Sequence, residues 1–277
     1  MPSSLLNPVM LDLGRHNILG VGVSAVDYDR AVAGIIEAAR ERRPYGVSAL
    51  AVHGVMTGVQ DKEHRHRLNA LELVVPDGQP VRWALRWLHG VSLPDRVYGP
   101  ELTLRTCAAA AEAGLPLFLF GGTEEVQAAL VDSLKERYPT IKIAGRRVSK
   151  FRTLSSEERD ELVAEIAASG AAITLVGIGC PRQEVWAYEF RQALSMPVLA
   201  VGAAFNFHAG LLPQAPKFLQ DRGLEWAYRL FREPRRLWRR YLYLNPYYLT
   251  LVAGQKLGLY RPGTQDAPAP KTEILYG

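Results

Sequence analysis

Cysteine is nearly absent from this chain. Only Cys107 and Cys180 occur in 277 residues, at a spacing that fits no zinc site, so two ordinary thiols are expected and neither a disulfide scaffold nor a metal-held fold. Long apolar runs are lacking as well. No stretch approaches the roughly 20 residues of a membrane-spanning helix, and the opening MPSSLLNPVMLDLGRHN has no basic segment followed by an apolar one. Export and integral insertion are therefore not expected. There is no internal repeat, and no nucleic-acid recognition motif accompanies the formal net charge of +5. What remains, 48% hydrophobic and 22% charged, describes a soluble, cytoplasmic globular chain long enough to bury a full core.

The positive charge that is present is local. Residues 225–248, EWAYRLFREPRRLWRRYLYLNPYY, hold six arginines (Arg229, Arg232, Arg235, Arg236, Arg239, Arg240) and eight aromatics against two acids, Glu225 and Glu233. Guanidinium groups fork onto phosphates and aromatic rings settle at lipid headgroups, so this cluster fits an anionic membrane surface or a phosphate-bearing ligand. If the stretch is helical, Arg229, Arg232, Arg236 and Arg240 share a stripe, and Pro234 starts a new helix after Glu233. A surface helix for self-association into a homo-oligomer, or for solubility, is the plainer alternative.

Upstream, apolar runs of strand length alternate with helical periodicity. The runs are VSALAVH (47–53), LELVV (71–75), LFLF (117–120), IKI (141–143), AITLVG (172–177) and VLAV (198–201), separated by amphipathic stretches with polar or acidic starts. This order predicts an α/β fold, a Rossmann-like and mostly parallel sheet with helices on both faces. The pattern changes near residue 222. The expected division is therefore an α/β core over 1–222, a basic aromatic C-terminal helical appendage over 223–261, and a Pro- and Gly-rich flexible tail over 262–277.

Ligands of open α/β sheets bind beyond the carboxyl ends of the strands, so the loops there carry the candidates. Asp77, in LVVPDGQPVRWAL, is placed either as a general base on a rigid scaffold or as the cap of the following helix. Gly121 and Gly122, in FLFGGTEEV, let backbone amides approach an anion at a helix N-terminus, or simply make a tight turn. Gln183, in GCPRQE, can hydrogen-bond a nucleotide or sugar; the alternative is a solvated first turn in which Glu184 complements the helix dipole. Three other motifs are weaker. GVGVSA (20–25) matches a dinucleotide fingerprint, which would suit a nicotinamide-dependent oxidoreductase, but lacks a proper preceding strand and ribose acid. DYD (27–29) resembles a two-carboxylate metal clamp but opens a helix, where capping suffices. His64 and His66 do not share a helix face and are expected to be solvated.

PDG (76–78), RVYGPEL (96–102), FLFGG (118–122), GCPRQE (179–184), VGAAFNFHAG (201–210), QAPKFLQDRGLEWAYRL (214–230) and EPRRLWRRY (233–241) occur in series. Together they resemble the WecG/TagA/CpsF glycosyltransferases, glycosyltransferase family 26, over about residues 18–248. The resemblance implies an inverting, metal-independent and cofactor-free transferase that moves a sugar from a UDP-sugar donor. The implied acceptor is an undecaprenyl-diphosphate-linked glycan, at the inner face of the membrane, in cell-surface polysaccharide synthesis. It implies Asp77 as catalytic base, Arg96 as the arginine of the R-V-x-G motif, and Gln183, His53, Gly121 and Gly122 on the donor side. It also implies that the arginines from Arg229 to Arg240 close the site, meet the acceptor diphosphate and bind the membrane as a peripheral anchor.

Two departures stand out. Ala49 and Ala51 occupy the places where family members carry Thr and Asn, and Arg146 and Arg147 make the stretch after Gly145 more basic than expected. Arg146 and Arg147 would either meet an acidic donor or face solvent. The alanines keep a second reading open, a non-catalytic nucleotide- or lipid-binding regulator of the same fold.

Overall fold

The structure, a computed structural model, describes residues 10–277, with the side chains of Asp221, Arg236, Arg239 and Arg240 outside the description. An antiparallel hairpin, β1 (Asp12–Ile18) and β2 (Val21–Val26), turns through Leu19 and Gly20, both at positive φ, and leads into α1 (Tyr28–Arg40). Next come β3 (Tyr45–Leu50), α2 (Val52–Gln60), α3 (Lys62–Asn69), β4 (Leu73–Pro76), α4 (Gln79–His89) and α5 (Gly99–Glu112). The chain continues through β5 (Leu117–Gly121), α6 (Glu124–Arg137), β6 (Ile143–Arg147), α7 (Ser156–Ala168), β7 (Ile173–Gly177), α8 (Arg182–Leu194), β8 (Pro197–Ala200) and α9 (Ala204–His208). It closes with α10 (Lys217–Asp221), α11 (Glu225–Arg232), α12 (Pro234–Arg239), a π-helical turn (Arg240–Leu244) and α13 (Asn245–Lys256).

Six strands form one parallel sheet in the order β4-β3-β8-β7-β5-β6. Both faces are covered, and the strand sequences show why their apolar runs are continuous. Phe118, Phe120, Val176, Val198 and Val74 pack on one face, while Leu117, Leu119, Leu175, Leu199 and Val75 pack on the other. Polar helix starts act as caps: Asp27 accepts from Arg30 N–H (2.8 Å), Thr123 caps α6, and Ser155 and Glu158 form a reciprocal box on α7.

Several local expectations change. GVGVSA lies within the hairpin, much of it in β2, so the geometry of a phosphate loop is absent and the dinucleotide reading falls. The strand expected through His53 stops at Leu50, and His53 lies in the first turn of α2. His64 is buried rather than solvated, and burial lowers its pKa to about 4. DYD serves α1: Asp27 caps it and Asp29 pairs with Arg105 (3.5 Å). Among the described residues, no cluster of acids, histidines and cysteines could hold a metal ion, and no helix is long and apolar enough to cross a membrane.

The C-terminal helices lie against the core. Pro234 opens α12 directly after Glu233, as its position predicts, so the arginine-rich stretch is divided between α11 and α12 and runs on into a π-helical turn from Arg240. Tyr248 and Val252 of α13 are buried in the same core as Trp186. Residues 262–277, expected as a flexible tail, run along this body. Asn69 Nδ2 donates to the Thr264 carbonyl (2.6 Å), and the Glu189 carboxylate accepts the Ile274 and Leu275 amides (2.9 Å each).

Candidate active site

The carboxyl ends of β3, β4, β5, β7 and β8 open into a cleft of about 1460 Å³ including its mouth. Gly122, Gly179, Gln183, Gly202 and Asn206 form part of its wall. A second cleft, about 650 Å³, is walled by His53, Gln79, Arg96, Glu225 and Trp226. Asp77, Ala51 and Arg229 line both, so the two clefts meet at these residues. An apolar groove follows from the smaller cleft, with Trp83, Trp87, Trp226, Leu242 and Leu249 on its sides.

Asp77 leaves β4 at the sheet edge. It does not cap α4, whose N-cap is Gly78 without a side-chain bond. Instead its Oδ1 accepts the amide of Gly99, the first residue of α5, at 2.6 Å. The carboxylate therefore has one oxygen fixed by backbone. Protein packed around Asp77 removes most of the water that would solvate its charge, and this desolvation raises its pKa from 3.8 to about 6. Arg96, the Gly99 amide and Arg229 oppose that rise, whereas Glu225 adds to it.

Arg96 is buried beside this carboxylate, but Glu225 from α11 neutralises it. Arg96 Nη2 donates to Glu225 Oε2 (2.7 Å) and to Gln220 Oε1 (3.1 Å), and its guanidinium lies 4.1 Å from the Tyr98 ring centre. The Tyr98 hydroxyl donates to the other oxygen of Glu225 (3.1 Å). A residue of the basic C-terminal region is thus tied into the wall around Asp77. Arg229, one turn further along α11, reaches both clefts, has the Phe207 ring 5.8 Å away, and has a buried Nε without a hydrogen-bond partner. Such a group suits an anion placed between the clefts.

On the sheet-edge side, Gln183 and Glu184 are buried, which overturns the solvated-turn reading. Gln183 Nε2 donates to Glu184 Oε1 (2.9 Å), to which Ser48 also donates (3.3 Å), leaving Gln183 Oε1 unpartnered. Gly202, at φ +59°, lets this amide approach the backbone; a Cβ there would stand 3.3 Å from Gln183 Oε1. Burial raises the Glu184 pKa. Gly122 lines the cleft, whereas Gly121 packs strand against strand: a Cβ on it would lie 2.7 Å from the Gly177 carbonyl.

The structure therefore brings Asp77, Arg96, His53, Gly122, Gln183 and Arg229 around two joined clefts. Arg232 and Arg235 are exposed, and Arg232 donates to the Tyr228 hydroxyl (3.3 Å). The side chains of Arg236, Arg239 and Arg240 lie outside the described residues. Arg146 and Arg147 are matched by Glu124 (2.5 Å) and Glu165 (2.7 Å). Ala49 and Ala51 face the sheet-edge cleft with methyl groups, and Cys180 lines the same wall. Sequence reasoning missed Glu225 and Tyr98 as site residues, since their link to Arg96 is a contact between distant segments. The sequence model of the Glycosyl transferase WecG/TagA/CpsF family matches residues 16–262, and the chain belongs to that family.

Proposed function

We propose that this member of a glycosyltransferase family moves a sugar, with inversion, from a UDP-sugar to a polyprenyl-diphosphate-linked glycan at a membrane surface. The observation that carries the reading is Asp77 at the junction of two clefts, its pKa raised to about 6. Inversion is one displacement: the acceptor hydroxyl attacks the anomeric carbon while the nucleoside diphosphate leaves from the opposite face. The sheet-edge cleft takes the donor, with Gly122 amides near phosphate and Gln183 on the nucleotide. The smaller cleft takes the acceptor hydroxyl, whose proton Asp77 removes. A base with a pKa near working pH combines a large ionised fraction with useful basicity.

Negative charge growing on the leaving diphosphate needs a fixed donor. Arg229 fits this part better than Arg96, because Arg96 is already matched by Glu225. Arg96 then acts on the base itself, holding Asp77 ionised against desolvation. The apolar groove continuing from the acceptor side suits a hydrocarbon chain, and the exposed Arg222 on its wall suits an anionic headgroup. This reading places the protein peripherally on the membrane.

Turnover of a panel of UDP-sugars with short polyprenyl-diphosphate glycans tests the reading, with the anomeric configuration of the product read by NMR. Asp77→Asn should lower kcat by about a hundred- to ten-thousand-fold. Near-normal turnover in that variant, or a product of retained configuration, would overturn the assignment. Nucleotide binding without transfer to any acceptor would favour the regulatory reading that Ala49 and Ala51 leave open.

A further inference from the structure

Phe151 lines the sheet-edge cleft in an unusual state. It is 54% exposed and holds φ +55°, a left-handed conformation that bulky side chains avoid. A loop in such a conformation needs its neighbours to hold it. Here the holding contacts come from the far end of the chain. The Leu154 amide donates to the Leu275 carbonyl (2.7 Å), and the Gly277 amide donates to the Arg152 carbonyl (2.8 Å). Thr153 and Tyr276 form an antiparallel bridge between them. Ser149 Oγ donates to the Gly277 carbonyl (2.6 Å) while accepting the Phe151 amide (3.0 Å).

The strap is itself anchored to α8. Glu189 accepts the Ile274 and Leu275 amides, and the Arg182 guanidinium lies 5.5 Å from the Tyr276 ring centre, next in sequence to Gln183. Residues 274–277 thus join two walls of one cleft, the Phe151 loop and the start of α8. They also lie beyond residue 262, where the family match ends.

We infer that residues 274–277 are a positioning clamp that holds the Phe151 ring in the cleft wall, and that nucleotide binding in this cleft depends on the clamp. The inference rests on the reading that the sheet-edge cleft takes a nucleotide. A planar base is the chemistry an exposed ring in such a wall serves, because stacking covers apolar surface on both partners. The clamp makes no contact with the ligand. Its effect passes through Phe151.

Calorimetric titration of the full-length protein with UDP, GDP and ADP tests this. Phe151→Ala should weaken binding of the preferred nucleotide about tenfold, and Phe151→Trp should keep it within about twofold. Deleting residues 271–277 should weaken the wild type by a similar factor yet leave Phe151→Ala unchanged, since both act on one contact. Leu275→Pro removes an amide held by Glu189 and forbids the left-handed backbone there, so it should reproduce the deletion with the core retained. Equal losses from the deletion in wild type and Phe151→Ala, or none in either, would overturn the clamp. A wild type that binds none of the nucleotides would remove the donor reading and the clamp with it, an outcome distinct from tight binding indifferent to these variants.

Discussion

At the scale of single residues, the behaviour of the site turns on the proton of Asp77. A base must be ionised to work, so kcat/KM should rise about tenfold per pH unit below about pH 6 and level off above it. The same shift makes a stability prediction of definite sign. The folded pKa lies above the unfolded one, so the stabilising contribution of the proton is complete below about pH 4 and is lost as pH rises through about 6. Ionised Asp77 therefore costs the fold about 1–3 kcal/mol at neutral pH. Asp77→Asn keeps an acceptor for the Gly99 amide and removes the charge, so it should melt a few degrees higher while losing turnover. A lower melting temperature would show that ionised Asp77 stabilises the fold. Glu225 raises the pKa of Asp77 and neutralises Arg96, so Glu225→Gln should move the acidic limb of the pH profile to lower pH. It should also cost about 3–5 kcal/mol for the unpaired buried arginine. An unmoved limb would show that the Arg96–Glu225 pair is structural and does not reach the base.

At the scale of elements, α2 begins at Val52 with Ala51 as its N-cap, in extended backbone (φ −89°, ψ 178°) and without a side-chain bond. Ala51→Asn or Ala51→Ser supplies the missing acceptor and has open cleft beside it. Either should raise stability by about 0.5–2 kcal/mol, a few degrees in thermal melting. No gain would mean that the new side chain turns into the cleft instead of back to the helix. The contrast between this cap and Asp77 shows what the sequence could reveal. Five of the six sheet strands were legible because they are apolar on both faces, whereas the edge strand β6, expected at 141–143, runs through Ile143–Arg147 and ends on two arginines. Helix starts were legible because Asp27, Thr123 and Ser155 cap the helix immediately following. Asp77 also accepts an amide at a helix start, but that of Gly99 at the start of α5, so local pattern pointed to the wrong helix. Glu225 was legible only as an acid in a basic run; its partners Arg96 and Tyr98 stand 129 and 127 positions away. The hairpin escaped because NIL is short, and its Leu19-Gly20 turn sits next to a glycine pattern that imitates a phosphate loop.

At the scale of the whole molecule, the basic aromatic region and α4 contribute jointly to one surface. Trp83 and Trp87 of α4, each 50% exposed, face the same groove as Trp226, Leu242 and Leu249 from the C-terminal helices. The helix that follows the candidate base therefore contributes part of the apolar wall, and Arg222 stands on the same groove. Deleting residues 225–277 would not test this surface, since it also strips Tyr248 and Val252 from the core. Point variants separate the contributions. Arg232→Glu with Arg235→Glu reverses two exposed charges, each worth about 1 kcal/mol of attraction to an anionic leaflet. Sedimentation with mixed phosphatidylglycerol and phosphatidylethanolamine vesicles should fall at least tenfold, and salt should weaken the wild type in the same direction. Trp83→Ser with Trp87→Ser should remove a part of the binding that salt leaves intact, because that part comes from buried apolar area. Wild-type protein that stays in solution with these vesicles, or a charge-reversed variant that binds as well as the wild type, would detach the membrane reading from the molecule. The chemistry assigned to the joined clefts would stand, and the aromatic groove would then need an occupant other than lipid.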